Sequence, residues 1–386
     1  MNTSFSSLIL IILIMSTTVG FSQKTKITNV EWKKAAQLQN ADGSLSLGFA
    51  GPINGISNNV LIVAGGANFP DKMPWEGGKK QYSNEIHVLE KSGDDFHWNK
   101  KAIHTLPEPI AYPGNVTTNS GIVYVGGENE NGLSNKTYIL NWNADKNEVE
   151  TKSLPDFPIA ITNIALTHLD NIIYAIGGDQ AKQSSDLVFT FDLNAEKPEW
   201  KLLTKLPFAL ANSVSIIQNK KIYVIGGRTK TASGISDLHN TTLAFDLKKQ
   251  TWETKVNISD GKQTTNFSAG AGVAIGTKNI LILGGDNGTT FHKIETYLSQ
   301  IASATSEEEK LKLIAEKNIL NTTHKGFYND ILLYNTHTNK WSKLGELPFL
   351  AQVTTTATIW NDKIVLSNGE IKPGIRTPDV MLGTIK

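Results

Sequence analysis

The sequence predicts an all-β fold, a six-bladed β-propeller, on three observations. Short apolar runs ending in a glycine pair recur along the chain: LIVAGG ending at Gly66, VYVGG at Gly127, IYAIGG at Gly178, IYVIGG at Gly227 and LILGG at Gly285. A sixth run, IVLSNG, ends at Gly369, with Asn368 where the first glycine would stand. Around each run lie further strands, and successive glycine anchors are about 50 to 60 residues apart except across one longer gap. Four strands per unit at this period is the pattern of a propeller blade.

The elements follow in chain order. Residues 7–15 read SLILIILIM, an apolar core too short to span a bilayer, followed by small and polar residues. This fits a signal peptide over residues 1–23, cleaved near Gln23, although no lysine or arginine precedes the core. No cysteine follows, so no lipid anchor is expected, and the mature chain is expected to be soluble and exported, periplasmic or secreted. A lone strand around Trp32 comes next, with no unit before it.

In each unit a strand and a tight polar turn, such as Asn58 and Asn59 or Asn361 and Asp362, precede the glycine run. A third strand follows, as in LAFDL at 243–247 and ILLYN at 331–335. The fourth often carries a tryptophan: Trp98, Trp200, Trp252 and Trp341. The second unit departs, with Val149 at that place and Trp142 earlier. After Gly285 an insertion of about 45 residues precedes the third strand. Within it Ser306, Glu307, Glu308 and Glu309 resemble a capping box, followed by apolar Leu311, Leu313, Ile314 and Ile319, so a helical segment is expected over about 290–326. His292 and His324 flank it and read as surface residues. The sixth unit lacks a fourth strand. Placing the Trp32 strand beside it completes the blade, closes the ring and removes exposed sheet edges.

Composition narrows the function. With 37 basic and 36 acidic side chains the net charge is +1, which argues against a nucleic-acid binder or a membrane-surface protein held by charge. Cysteine is absent, which excludes disulfides, thiolate metal sites and cysteine nucleophiles. The eight histidines show no metal-ligand spacing. Only two of the basic residues are arginine, Arg228 and Arg376. Both follow glycine anchors, and lysine cannot replace the planar guanidinium fork at a carboxylate site. Loops after the glycine pairs emerge on one face of a propeller, where scaffold-mounted loops carry function.

The repeat pattern looks like kelch repeats. A more specific likeness lies in NGEIKPGIRT, residues 368–377, which is similar to the NGE-x-KPG-x-RT segment of the bacterial N-acetylneuraminate epimerases, or sialic acid mutarotases. GFAGPINGISNNVLIVAGGANF at 48–69, EGGKKQYSNEIHV at 76–88 and the insertion before FYNDILLYN also resemble that family. The likeness covers essentially the whole mature chain, but with the blades in shifted order, as in the cyclically permuted mutarotase branch. A closed ring tolerates such permutation.

The resemblance implies an isomerase that converts α-N-acetylneuraminate to the β anomer by acid/base ring opening and reclosure. It implies that Glu370 is the acid/base and that Arg376 lies in the site, where a guanidinium suits the carboxylate on the anomeric carbon. Lys80, Tyr82 and Glu76 lie in the matching first-blade loop as candidate sugar contacts. Glu128 matches a GGE of the family, and Tyr112 sits in a blade-linking loop. Arg228 is a candidate second anion contact. The expected partner is a small sugar acid; no metal, redox cofactor, nucleic acid or membrane anchor is called for. Two alternatives stay open: a non-catalytic propeller binding a sugar or protein, and a mutarotase for a different sugar acid. A sialidase is excluded, because it would use three arginines and the chain has two.

Overall fold

In the computed structural model, residues 27–40, 42–102 and 104–386 are described. The leader read in residues 1–23 lies outside them. Six antiparallel sheets, each with a path of four strands, form six blades around a central channel, and in the first a short fifth strand, His104–Thr105, also pairs with Glu85 and Ile86. In the first blade the strands are Ile53–Ser57, Val60–Ala64, Glu85–Ser92 and Asp95–Trp98, running from the channel outwards. The next four blades repeat this order through Lys340–Glu346. The sixth is closed as the sequence predicts. Val30–Gln37 pairs as the outermost strand with Asp379–Ile385, setting Trp32 opposite Gly383. Trp98 of the first blade donates its Nε1–H to the carbonyl of Gln37 at 2.9 Å, tying the closing strand to its neighbour.

The apolar second strand of each blade is explained by what covers it. Strand side chains alternate between faces, and here each face meets another blade. Ile62 and Ala64 pack with Ile122 and Tyr124 of the second blade, while Leu61 and Val63 pack with Val365 and Leu382 of the sixth. The same arrangement fills all six gaps between blades. The core is therefore six wedges of side chains, each shared by two sheets.

The glycine pairs mark where one blade's backbone crosses the next. The first glycine of each pair has φ of 62–68°. A Cβ on Gly177 would lie 2.2 Å from the carbonyl oxygen of Leu210, which no side chain can accept. Asn368 holds the same place in the sixth blade at φ 59°, a conformation asparagine tolerates better than most residues. Its Oδ1 accepts a hydrogen bond from the backbone of Phe49 in the first blade.

Just before each innermost strand, one residue takes the left-handed conformation: Gly51, Tyr112, Asn163, Asn212, Ala269 and Thr354, with φ of 52–62°. Their amides bond head to tail. Tyr112 donates to Gly51, Asn163 to Tyr112, Asn212 to Asn163, Ala269 to Asn212, Thr354 to Ala269 and Gly51 to Thr354, all at 2.8–3.0 Å. Six blades are thus joined by a closed backbone ring around the channel mouth.

The insertion after Gly285 folds as two helices, α1 (Phe291–Ser303) and α2 (Glu307–Thr323). Ser306 caps α2 by accepting from the amide of Glu309. Leu311 and Ile319 are exposed, so the apolar positions read in this segment do not all face the propeller. His324 is buried rather than on the surface, with its Nδ1 accepting from the amide of Gly326. Among the described residues, no helix is long and apolar enough to cross a membrane.

Candidate functional site

A cavity of about 410 Å³ fills the channel itself, walled by the six innermost strands and the ring residues. The charged groups lie on the loop side of the ring instead. Their placement follows from register. The residue before each ring position exchanges two backbone hydrogen bonds with the residue after the glycine pair: Ala50 with Ala67, Ala111 with Glu128, Thr162 with Asp179, Ala211 with Arg228, Ser268 with Asp286 and Val353 with Glu370. Six equivalent positions therefore encircle the mouth. Five carry charge: Glu128, Asp179, Arg228, Asp286 and Glu370. The sixth is Ala67.

Arg376 occupies the space beside that alanine. It comes from a short hairpin in which Glu370–Lys372 pairs with Ile375–Arg376. Its Nε donates to the carbonyl of Ala67 at 3.3 Å and its Nη1 to Glu370 Oε1 at 3.1 Å. The ring of Phe69 stacks on the guanidinium at 4.8 Å. Gly374 also donates its amide to Glu370 Oε1 at 2.7 Å. Glu370 Oε1 is held from two sides, whereas Oε2 receives no hydrogen bond from the described residues and is not enclosed. The hairpin brings acid and arginine of the 368–377 segment into one ion pair.

A second cluster lies beside the first. Lys80 Nζ contacts Glu128 Oε1 at 2.6 Å, and the hydroxyl of Tyr82 donates to the same oxygen at 3.0 Å. Lys80 also lies over the rings of Tyr82 and Tyr112, at 4.9 and 5.0 Å. Burial works against its ammonium, but the pull of Tyr112, Glu128 and Tyr82 outweighs it and holds its pKa above the ordinary lysine value. Tyr112 links the two clusters. Burial raises the pKa of its hydroxyl, which also feels the charges of Arg376, Glu370, Lys80 and Glu128.

Arg228 stands further round the ring. It is 9% exposed and its Nη2 lies 2.6 Å from Asp179 Oδ2. Asp179 is itself buried and accepts from Ser184 and Asn163 as well. Arg228 Nε is buried with no partner. Glu76 stands apart from both clusters: it is exposed, and its carboxylate turns back to accept from the amide of Met73. The turn that carries it, Pro74–Glu76, rests against Gly374.

Asp286 was not singled out from the sequence. It is 9% exposed, and its Oδ1 accepts from the amide of Gly288 at 2.5 Å. Among the described residues it is the one ring carboxyl without a cationic partner. Burial, with the neighbouring charges of Glu370 and Glu295, pushes its pKa up to about 6 against the pull of the Gly288 amide. Asp179 was not singled out either. The usable signal was positional: the residue after each second glycine is presented to the same ring.

The sequence model of the N-acetylneuraminate epimerase family matches residues 16–149 and 154–386. The chain belongs to the N-acetylneuraminate epimerase family. It is 30% identical over 229 residues to the N-acetylneuraminate epimerase of Salmonella typhimurium, covering 58% of this chain and 56% of the relative. It is 26% identical over 233 residues to that of Haemophilus influenzae, covering 60% and 59%. The chain thus spans somewhat over half the length of these epimerase relatives. Glu370 and Arg376 lie within the second segment matched to the epimerase family, and Lys80, Tyr82, Tyr112 and Glu128 within the first.

Proposed function

We propose that the protein is a mutarotase that interconverts the α and β anomers of N-acetylneuraminate by opening and reclosing the sugar ring. One observation carries this reading: Glu370, in the segment similar to the family motif, presents one anchored and one unpartnered carboxylate oxygen at the channel mouth beside Arg376. In the proposed reaction Glu370 Oε2 takes the proton of the anomeric hydroxyl. The bond between the anomeric carbon and the ring oxygen breaks, and the ring oxygen gains a proton. The product is the open-chain ketone. Rotation exposes its other face, and the reverse steps close the ring as the opposite anomer. Holding the reacting groups together at one site favours both proton transfers.

The substrate carboxylate is assigned to Arg376, whose Nη2 has no partner among the described residues. A guanidinium already oriented by Phe69 and Ala67 loses little freedom on binding it. Lys80, Tyr82, Glu128 and Tyr112 would form a polar wall for the hydroxyl and amide groups of the sugar. Arg228 would add positive potential from across the mouth, and Glu76 would meet the sugar only at its outer edge. Export by the 1–23 leader to the periplasm or beyond is part of the proposal. N-terminal sequencing of the mature protein, starting near residue 24, checks it.

The test of function is NMR of freshly released α-N-acetylneuraminate with and without protein. Faster appearance of the β anomer supports the reading, and equal rates end it. Parallel runs with other 2-keto sugar acids separate a sialic acid enzyme from a mutarotase of different preference.

A further inference from the structure

Ring opening moves two protons: one leaves the anomeric hydroxyl and one arrives at the ring oxygen. The two positions are on different atoms of the substrate, so two protein groups can divide the work. Asp286 and Glu370 occupy adjacent positions of the mouth ring, in the fifth and sixth blades, joined by the hydrogen bond from Thr354 to Ala269. They are built alike. Each has one carboxyl oxygen fixed by the amide of a nearby glycine, Gly288 for Asp286 and Gly374 for Glu370. Each has a second oxygen that receives no hydrogen bond from the described residues and is not enclosed.

They differ in their charged surroundings. Glu370 has Arg376 against it. The charges that act on Asp286 are those of Glu370 and, from α1, Glu295, which itself accepts from the amide and hydroxyl of Ser236. Arg228, the arginine of the preceding ring position, is turned to Asp179. A buried carboxyl whose charged neighbours are other carboxylates favours its protonated form. Two carboxyls whose environments push them apart are the arrangement by which one site holds an acid and a base together.

We propose that Asp286 is the second catalytic carboxyl of the site, protonating the ring oxygen as Glu370 deprotonates the anomeric hydroxyl, with the roles exchanged on reclosure. The step balances: Glu370 gains the proton that the hydroxyl loses, Asp286 gives the proton that the ring oxygen gains, and one carbon–oxygen bond breaks as a carbonyl forms. On reclosure the new hydroxyl oxygen takes its proton from Glu370 and Asp286 is recharged from the attacking oxygen, so both carboxyls end as they began. The inference rests on the mutarotase reading.

The experiment compares wild type, Asp286→Asn and Asp286→Glu in the NMR assay, each minus its no-protein control, from pH 5 to 8. Asparagine keeps the acceptor for Gly288 and the side-chain size but cannot deliver the proton. The expected result is a loss of about 10²–10⁴-fold in the accelerated rate of Asp286→Asn, the range for a general acid. Wild type should show acceleration falling as pH rises through about 6, and that limb should be missing from any residual Asp286→Asn activity. Asp286→Glu should recover part of the rate together with the limb. Wild-type rates in Asp286→Asn overturn the assignment while leaving the mutarotase reading intact. So does an Asp286→Asn loss in which the limb stays, because a residue with only a packing role would not set the pH profile. A wild-type protein that accelerates nothing overturns both.

Discussion

Replacing Asp286 with asparagine should make the protein more stable, and the size of the gain follows from the site. The carboxyl is 9% exposed and its pKa stands at about 6 against an ordinary value of 3.8. The sign runs opposite to that of a paired carboxylate. Because the folded state holds the proton more tightly than the unfolded chain, the folded state is favoured at low pH and loses that advantage as pH rises from about 4 to 6. Above 6 the penalty is complete: a little over two pKa units at 1.36 kcal/mol each, about 3 kcal/mol. Asparagine has no charge to bury and escapes it. The variant should therefore match wild type near pH 4 and exceed it by about 3 kcal/mol at pH 7.5. For a domain of this size that is about 4 °C in Tm, by the usual unfolding entropy per residue. Urea unfolding at both pH values, followed by tryptophan fluorescence, measures the difference between the proteins. A variant less stable than wild type at pH 7.5, or one whose gain is the same at both pH values, would refute the reasoning. A site residue whose removal stabilises the fold is the expected trade of stability for activity.

Other substitutions test the remaining parts of the mouth. Glu370→Gln, which keeps an acceptor for Gly374 and Arg376, should reduce the accelerated rate by about 10²–10⁴-fold in a protein that still folds; full activity in the NMR assay would remove Glu370 from the chemistry. Arg376→Lys keeps the charge but loses the planar fork that spans Ala67 and Glu370, so substrate affinity measured by calorimetry should fall about tenfold or more. Asp179→Ala leaves Arg228 buried without its carboxylate and should cost about 3–5 kcal/mol in urea unfolding. A cost below 1 kcal/mol there would show that water reaches the guanidinium.

The fold was largely legible in the sequence because its two strongest signals are local. The glycine pairs are forced by backbone contact with the next blade, and the apolar runs by burial on both faces. Closure by the Trp32 strand followed from counting strands. The site was legible only in part. Glu370, Arg376 and Lys80 were reached through a motif and its neighbourhood, but their ion pairs depend on hairpin geometry that spacing does not give. Asp286 opens the long insertion and Asp179 sits in a short loop, and neither belongs to a motif of its own. What places them at the mouth is a register between a glycine pair and a strand start in the same blade, repeated six times, and that is a property of the ring rather than of any segment. The helices show the limit from the other side: α2 has its predicted cap, yet Leu311 and Ile319 face solvent because a helix laid over loops has little apolar surface to meet.

The closed ring of six backbone hydrogen bonds at the mouth has an electrical consequence. Each peptide unit is a dipole, and a helix sums its dipoles because they point one way. Here the dipoles follow one another around a circle, so their components in the plane of the ring cancel. The backbone that frames this mouth offers an incoming anion no in-plane pull of the kind a helix start provides. Whatever attracts a carboxylate towards the centre must come from side chains, and the cations Lys80, Arg228 and Arg376 each already lean on an acid. The field at the mouth is therefore set by how those three pairs divide their charge, which makes it adjustable residue by residue without touching the frame.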